Sequence, residues 1–165
     1  MTKSSTGTVR RTAVRDRAEA HGGLRILGET LTIQTDERVE LTDVTEPVVT
    51  FVRTSGIGEG MVSLWSLHTT CALFINEAQS ALHVDIKRVL EQMVARDGGW
   101  LHNDPAHSDC DRVNADSHLR AMLLGHSITL QVSGGEIVLG QWQRLLMAEL
   151  DGPRQRTLRV QVMGI

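Results

Sequence analysis

The chain is expected to fold as an α+β domain, with mostly antiparallel strands and two to three helices. Three observations carry that expectation. Apolar and β-branched residues alternate with polar ones in several short runs, such as Glu29 to Thr35 and Leu158 to Val162. Ser133-Gly134-Gly135-Glu136, set between Ser127–Val132 and Ile137–Leu139, is the signature of a tight hairpin. Ala78, Leu82, Ile86, Val89, Leu90 and Met93 recur at three- and four-residue spacings, which marks one long amphipathic helix.

At 165 residues, 41% of them hydrophobic, the chain has enough apolar surface for one sizeable core, and one domain is the better expectation. Residues 1–23 are polar and basic, with little to bury, and read as a flexible N-terminal extension. Residues 24–165 form the single domain. The net charge of -3 and pI near 6.1 leave no global footprint for nucleic acid or an anionic membrane. Tyrosine is absent and aromatics make up 3%, which argues against a base-stacking platform. No apolar run approaches the length of a membrane span, and the N-terminus lacks a secretory h-region. Cys71 and Cys110 make no disulfide framework, so a reduced cytoplasmic setting is expected.

In chain order, Leu24–Thr35 reads as a strand or hairpin. Asp43 is placed to cap a helix from Val44 to Arg53, with Glu46 three residues on and Pro47 in the early turns. Ser55-Gly56-Ile57-Gly58-Glu59-Gly60 is a plain turn, because it lacks the Gly-Lys-Ser/Thr ending of a phosphate loop. Met61–Leu67 and Ala72–Ile75 follow as central strands, and Glu77 opens the long helix, which Gly98-Gly99 ends. Trp100–Asp111 is a loop. Asn114 is placed to cap a shorter helix stopped by Gly125. Trp142–Leu150 is expected to be strand, and the turn at Asp151-Gly152-Pro153-Arg154 leads into the last one.

The densest polar chemistry beside core residues is His68-Thr69-Thr70 through Asn76-Glu77. His68, His102 and His118 are candidate metal ligands, since imidazole suits zinc and three such ligands leave a position open for substrate. Their spacing matches no dense local motif. His118 stands out because Asn114 lies one helical turn before it, on the same face. His107 reads as an exposed loop residue. Glu77 and Asp85, eight residues apart, can share a helix side, and either suits a general base. Arg154 and Arg156 flank a turn and suit a phosphate or carboxylate, or else pair with Glu149 and Asp151. Cys71 reads as a small buried hydrophobe. Trp142 and Gln143 are candidate pocket walls.

Taken in order, His68-Thr69-Thr70, Asn76-Glu77, His102, Asn114-Ala115-x-x-His118, Leu139-Gly140-x-Trp142-Gln143 and Asp151-Gly152-Pro153-Arg154-x-Arg156 resemble the YjbQ-like family, often described as a secondary thiamine-phosphate synthase family. The resemblance runs from about Leu24 to Ile165. It implies antiparallel sheets in a sandwich-like arrangement, a homotrimer, and a site built around His68, His102 and His118. Catalytic roles would fall to Glu77, Asp85, Asn114 and His118, and substrate contacts to Thr69, Thr70, Asn76, Trp142, Gln143, Arg154 and Arg156. The implied reaction joins an aminopyrimidine methyl diphosphate to a thiazole phosphate, with a divalent ion, Zn or Mg, assisting. The alternative is a non-catalytic trimer that binds a metal or a phosphorylated ligand. Trp100 stands where the family commonly has tyrosine and Cys71 where alanine is usual; the N-terminal extension is a further departure.

Overall fold

Leu31 and Ile33 on one strand and Leu158, Val160 and Val162 on its neighbour all turn inward and are fully buried, which is what period-two alternation dictates. The computed structural model describes residues 8–12, 19–21 and 23–165, the first two segments through their backbone alone. The strands are β1 Thr8–Thr12, β2 Glu19–His21, β3 Leu24–Gln34, β4 Glu40–Asp43, β5 Gly60–Ser66, β6 Cys71–Asn76, β7 Ser127–Ser133, β8 Glu136–Ile137, β9 Arg144–Glu149 and β10 Gln155–Gly164. The helices are α1 Thr45–Ser55, α2 Ser80–Met93 and α3 Ala115–Leu124, with a 3-10 turn at Leu101–Asn103.

Among the described residues, β1-β3-β10-β5-β7-β8 form one sheet, with β2 also on β3, and β4-β9-β6 form a second; every pairing is antiparallel. The alternation of buried residues on β9 sorts two cores. Leu145 and Met147 face the large sheet, packing with Leu31, Val62, Leu64, Leu158 and the α1 residues Val48, Phe51 and Val52. Ala148 and Leu150 belong to a second core with Leu41, Ala72, Leu90 of α2 and Ala121 of α3. The small sheet is therefore the middle layer, and its β9 must be apolar on both faces. Truncating Leu145 to alanine would cost roughly 2–5 kcal/mol.

Several expectations are corrected. Leu24–Gln34 is one continuous strand. β5 is central, between β10 and β7, but β6 lies at the edge of the small sheet. The long helix begins at Ser80, not Glu77, because Gln79 supplies the cap: its Oε1 accepts from Leu82 N at 2.7 Å. Two pieces of the expected flexible extension are strands that pair antiparallel with β3, along its edge opposite β10. The rest of that extension, residues 1–7, 13–18 and 22, lies outside the described residues.

Candidate functional site: a histidine pair tied to an arginine cluster

Asn114 occupies the N-cap position of α3, but its side chain does not cap the helix. Asn103, at the end of the 3-10 turn, does so instead, its Oδ1 accepting from Ala115 N at 2.9 Å. That frees the Asn114 amide, 4% exposed, for two other bonds. Its Nδ2 donates to Asp151 Oδ2 at 2.9 Å, and its Oδ1 lies 3.2 Å from His102 Nε2. The His118 ring, on the first turn of α3, sits edge-on to His102 with centroids 5.0 Å apart and planes at 77°. Burial holds the His118 pKa below its ordinary value of 6.5, and His102 pushes the same way, against Asp151 and Asp116. The shift favours the neutral form of His118.

Asp151 is the hub. Arg154 donates to it through Nη2 at 2.6 Å, Arg38 through Nη1 at 3.2 Å and Arg112 through Nη1 at 3.5 Å. Arg38 also reaches the fully buried Asp116, at 3.1 Å, whose other oxygen lies 3.3 Å from Arg120. Gly152 makes the approach of Arg38 feasible, because its N–H donates to Arg38 O at 2.9 Å and a Cβ there would meet Glu37 O at 2.3 Å. The guanidinium side chains of Arg38, Arg154 and Arg112 keep 30%, 33% and 52% of their surface exposed. Partly desolvated guanidinium groups with spare N–H donors suit an incoming phosphate. A cleft of about 330 Å³, lined in part by Trp100, Asn103 and Val113, opens along the same loop.

Other predicted site residues fall elsewhere. Arg156 is 3% exposed and clamps the fully buried Glu149, with Nε on Oε2 at 2.5 Å and Nη2 on Oε1, while Thr70 Oγ1 accepts from Arg156 Nη2 at 3.0 Å. Both residues are spent on the fold and are unavailable to a ligand. His68 Nε2 accepts from Thr157 N at 2.8 Å, with burial and then Arg156 holding its pKa down against Glu149. Thr69, Asn76, Glu77, Asp85, Trp142 and Gln143 are exposed, and none of them bonds to the cluster. Cys71 is buried as expected, its thiol pushed up to about 11 by burial. His107 is likewise exposed and pairs with Asp104 at 2.9 Å.

The three-histidine metal set does not fit this arrangement. An Nε2 that accepts a backbone N–H leaves the neutral His68 ring with its proton on Nδ1 and no lone pair to give. Among the described residues no group of three or more His, Cys, Asp or Glu side chains is gathered to hold a metal. Arg38, Arg112 and Asp116 escaped sequence reasoning, and Asp151 entered it only as a possible ion-pair partner of the turn arginines. The one available signal was the spacing of Glu149 and Asp151 against Arg154 and Arg156, which fixes two ion pairs across one turn.

A two-sheet α+β fold that holds two imidazoles beside an arginine-ringed carboxylate is the class of protein defined so far. The family model described as UPF0047 protein YjbQ-like matches residues 29–165, and the chain belongs to that family. It is 44% identical over 141 residues to a UPF0047 protein of Methanothermobacter thermautotrophicus, covering 86% of this chain and 94% of the relative. It is 32% identical over 137 residues to the UPF0047 protein YugU of Bacillus subtilis, covering 82% and 98%. Among solved structures, a YbjQ-like protein from Sulfolobus solfataricus superposes with a TM-score of 0.81 at 31% identity, covering 86% and 99%. A hypothetical protein from Aeropyrum pernix K1 gives 0.76 at 35% identity, covering 84% and 98%.

Proposed function

We propose that the protein is an enzyme acting on a small phosphorylated metabolite at the His102–His118 and Asp151 cluster, with thiamine phosphate synthesis as the named instance. The observation that supports this reading is the bonded chain from His102 through Asn114 to Asp151 and its three arginines. Both substrates of that reaction are anionic. The thiazole nitrogen attacks the methylene carbon of the pyrimidine diphosphate, the C–N bond forms, and the C–O bond breaks with its electron pair leaving on pyrophosphate. Arg38, Arg112 and Arg154 would neutralise the charge that builds on the departing oxygen. A neutral His118 imidazole still carries one N–H and can donate it to that oxygen. Growth of a strain lacking its main thiamine phosphate synthase tests the reading. Failure of well-expressed protein to restore growth, with no turnover in vitro, would contradict it.

The working form proposed is a homotrimer in a cytoplasmic setting. No helix among the described residues is long and apolar enough to cross a membrane. Assembly is supported by apolar side chains left in solvent on the protomer: Val89 (49%) and Met93 (62%) one turn apart on α2, and Met122 (65%) on α3. Sedimentation equilibrium should return three times the 18.2 kDa chain mass, and a monomer would exclude the trimer.

A further inference from the structure

We propose that Asp151 is a positioning residue for His102: acting through the Asn114 amide, it fixes His102 as the Nε2–H tautomer and leaves Nδ1 unprotonated and available to a ligand. A carboxylate oxygen only accepts, so the group of Asn114 that faces Asp151 Oδ2 at 2.9 Å is its NH₂. The amide is planar, so its oxygen then faces the other way, toward His102 Nε2 at 3.2 Å. An amide oxygen also only accepts, so His102 must donate from Nε2. The neutral ring carries one proton, and Nδ1 keeps its lone pair.

Burial makes the choice strict. Asn114 is 4% exposed and Asp151 is 7% exposed, so turning the amide over would set oxygen against oxygen with little water to intervene. Asp151 is itself pinned on both oxygens, by Arg38 on Oδ1 and by Arg154 and Arg112 on Oδ2. A pinned carboxylate orients the amide, and the oriented amide orients the imidazole. The preference for Nε2–H over Nδ1–H should be on the order of tenfold to a hundredfold. The same arginines that would meet a phosphate thus also hold the group that sets the histidine. The catalytic use of Nδ1 rests on the function proposed above; the tautomer itself does not.

Long-range ¹H–¹⁵N correlation spectra of the ¹⁵N-labelled, substrate-free full chain read the tautomer directly, with His102 assigned by its loss in His102→Gln. The wild-type spectrum should show His102 as Nε2–H; a wild-type Nδ1–H ring would overturn the proposal at once. Asp151→Asn keeps the shape but adds a donor, so the Asn114 amide can turn over. The Nδ1–H form should then rise from below detection to a readily observed share, and an unchanged ring would count against the proposal. If that variant does not fold, Asn114→Ala supplies the same release and the same two outcomes. Arg112→Ala removes only the longest of the three contacts and leaves Arg38 and Arg154 holding both Asp151 oxygens, so it should leave the tautomer unmoved, which separates positioning from general disturbance of the cluster. Because no substrate is present, a failed activity assay and a failed tautomer measurement are distinguishable.

Discussion

Arg156 holds Glu149 from two nitrogens, with both side chains sealed from solvent between β9 and β10. Thr35 Oγ1 and Asp151 N also bond to that carboxylate, and Thr70 Oγ1 to the guanidinium. Removing one partner strands a buried charge. Arg156→Ala is therefore expected to destabilise the fold by about 3–5 kcal/mol in denaturant titrations. The apolar double replacement Arg156→Met with Glu149→Leu should recover only part of that loss, since it takes the side-chain partners from Thr70 Oγ1 and the Asp151 N–H.

His68 serves the backbone of Thr157. His68→Ala leaves a part-buried N–H without its acceptor and is expected to cost about 1–3 kcal/mol of stability. His68→Gln can present a carbonyl oxygen and should restore most of it. Elemental analysis of both variants checks the corollary, that any metal which co-purifies with the wild type is unchanged by either substitution.

The histidines also set a pH dependence. Burial holds the pKa values of His68, His83 and His118 below the ordinary 6.5. In the window between the folded and unfolded values, the unfolded chain binds more protons, so stability rises with pH there. Unfolding free energy should be flat above about pH 7.5 and fall as pH drops through 6.5. Titrations at several pH values check this; a rise in stability on acidification over that window would contradict it.

Arg112 is the most exposed of the three guanidinium groups on Asp151, and its 3.5 Å contact is the longest. Arg112→Ala should leave the melting temperature nearly unchanged, as exposed pairs contribute about 0–1 kcal/mol. Its effect should fall on phosphate-bearing ligands, weakened roughly tenfold to a hundredfold by loss of a charge-assisted bond. Isothermal titration with inorganic pyrophosphate reads both affinity and the unaltered fold of the titrated protein.

How much of this was legible in the sequence follows from the range of the forces. Local patterns placed β3, β10, α1, α3 and the β7–β8 hairpin, because alternation, helical period and paired glycines act over a few residues. Gln79 caps α2, which begins at Ser80 and not at Glu77, a choice between neighbours that spacing does not resolve. The site was half legible. His102, His118, Asn114 and Arg154 are linked through ring contact and Asp151, whereas His68, Thr70 and Arg156 are spent on bonds within the fold. Asp151 and Arg38 lie 113 positions apart, and only the packing of the Gly152 turn on Glu37 and Arg38 brings them together.

The most direct test of the proposed function is thiamine phosphate formation from the two phosphorylated precursors by purified wild type, His118→Ala and Arg112→Ala proteins. Product formation by the wild type is expected, with kcat/KM falling at least about a hundredfold in His118→Ala and the Arg112→Ala loss appearing in kcat as well as in KM. Turnover that is absent from folded wild type, or equal in all three proteins, would contradict the account.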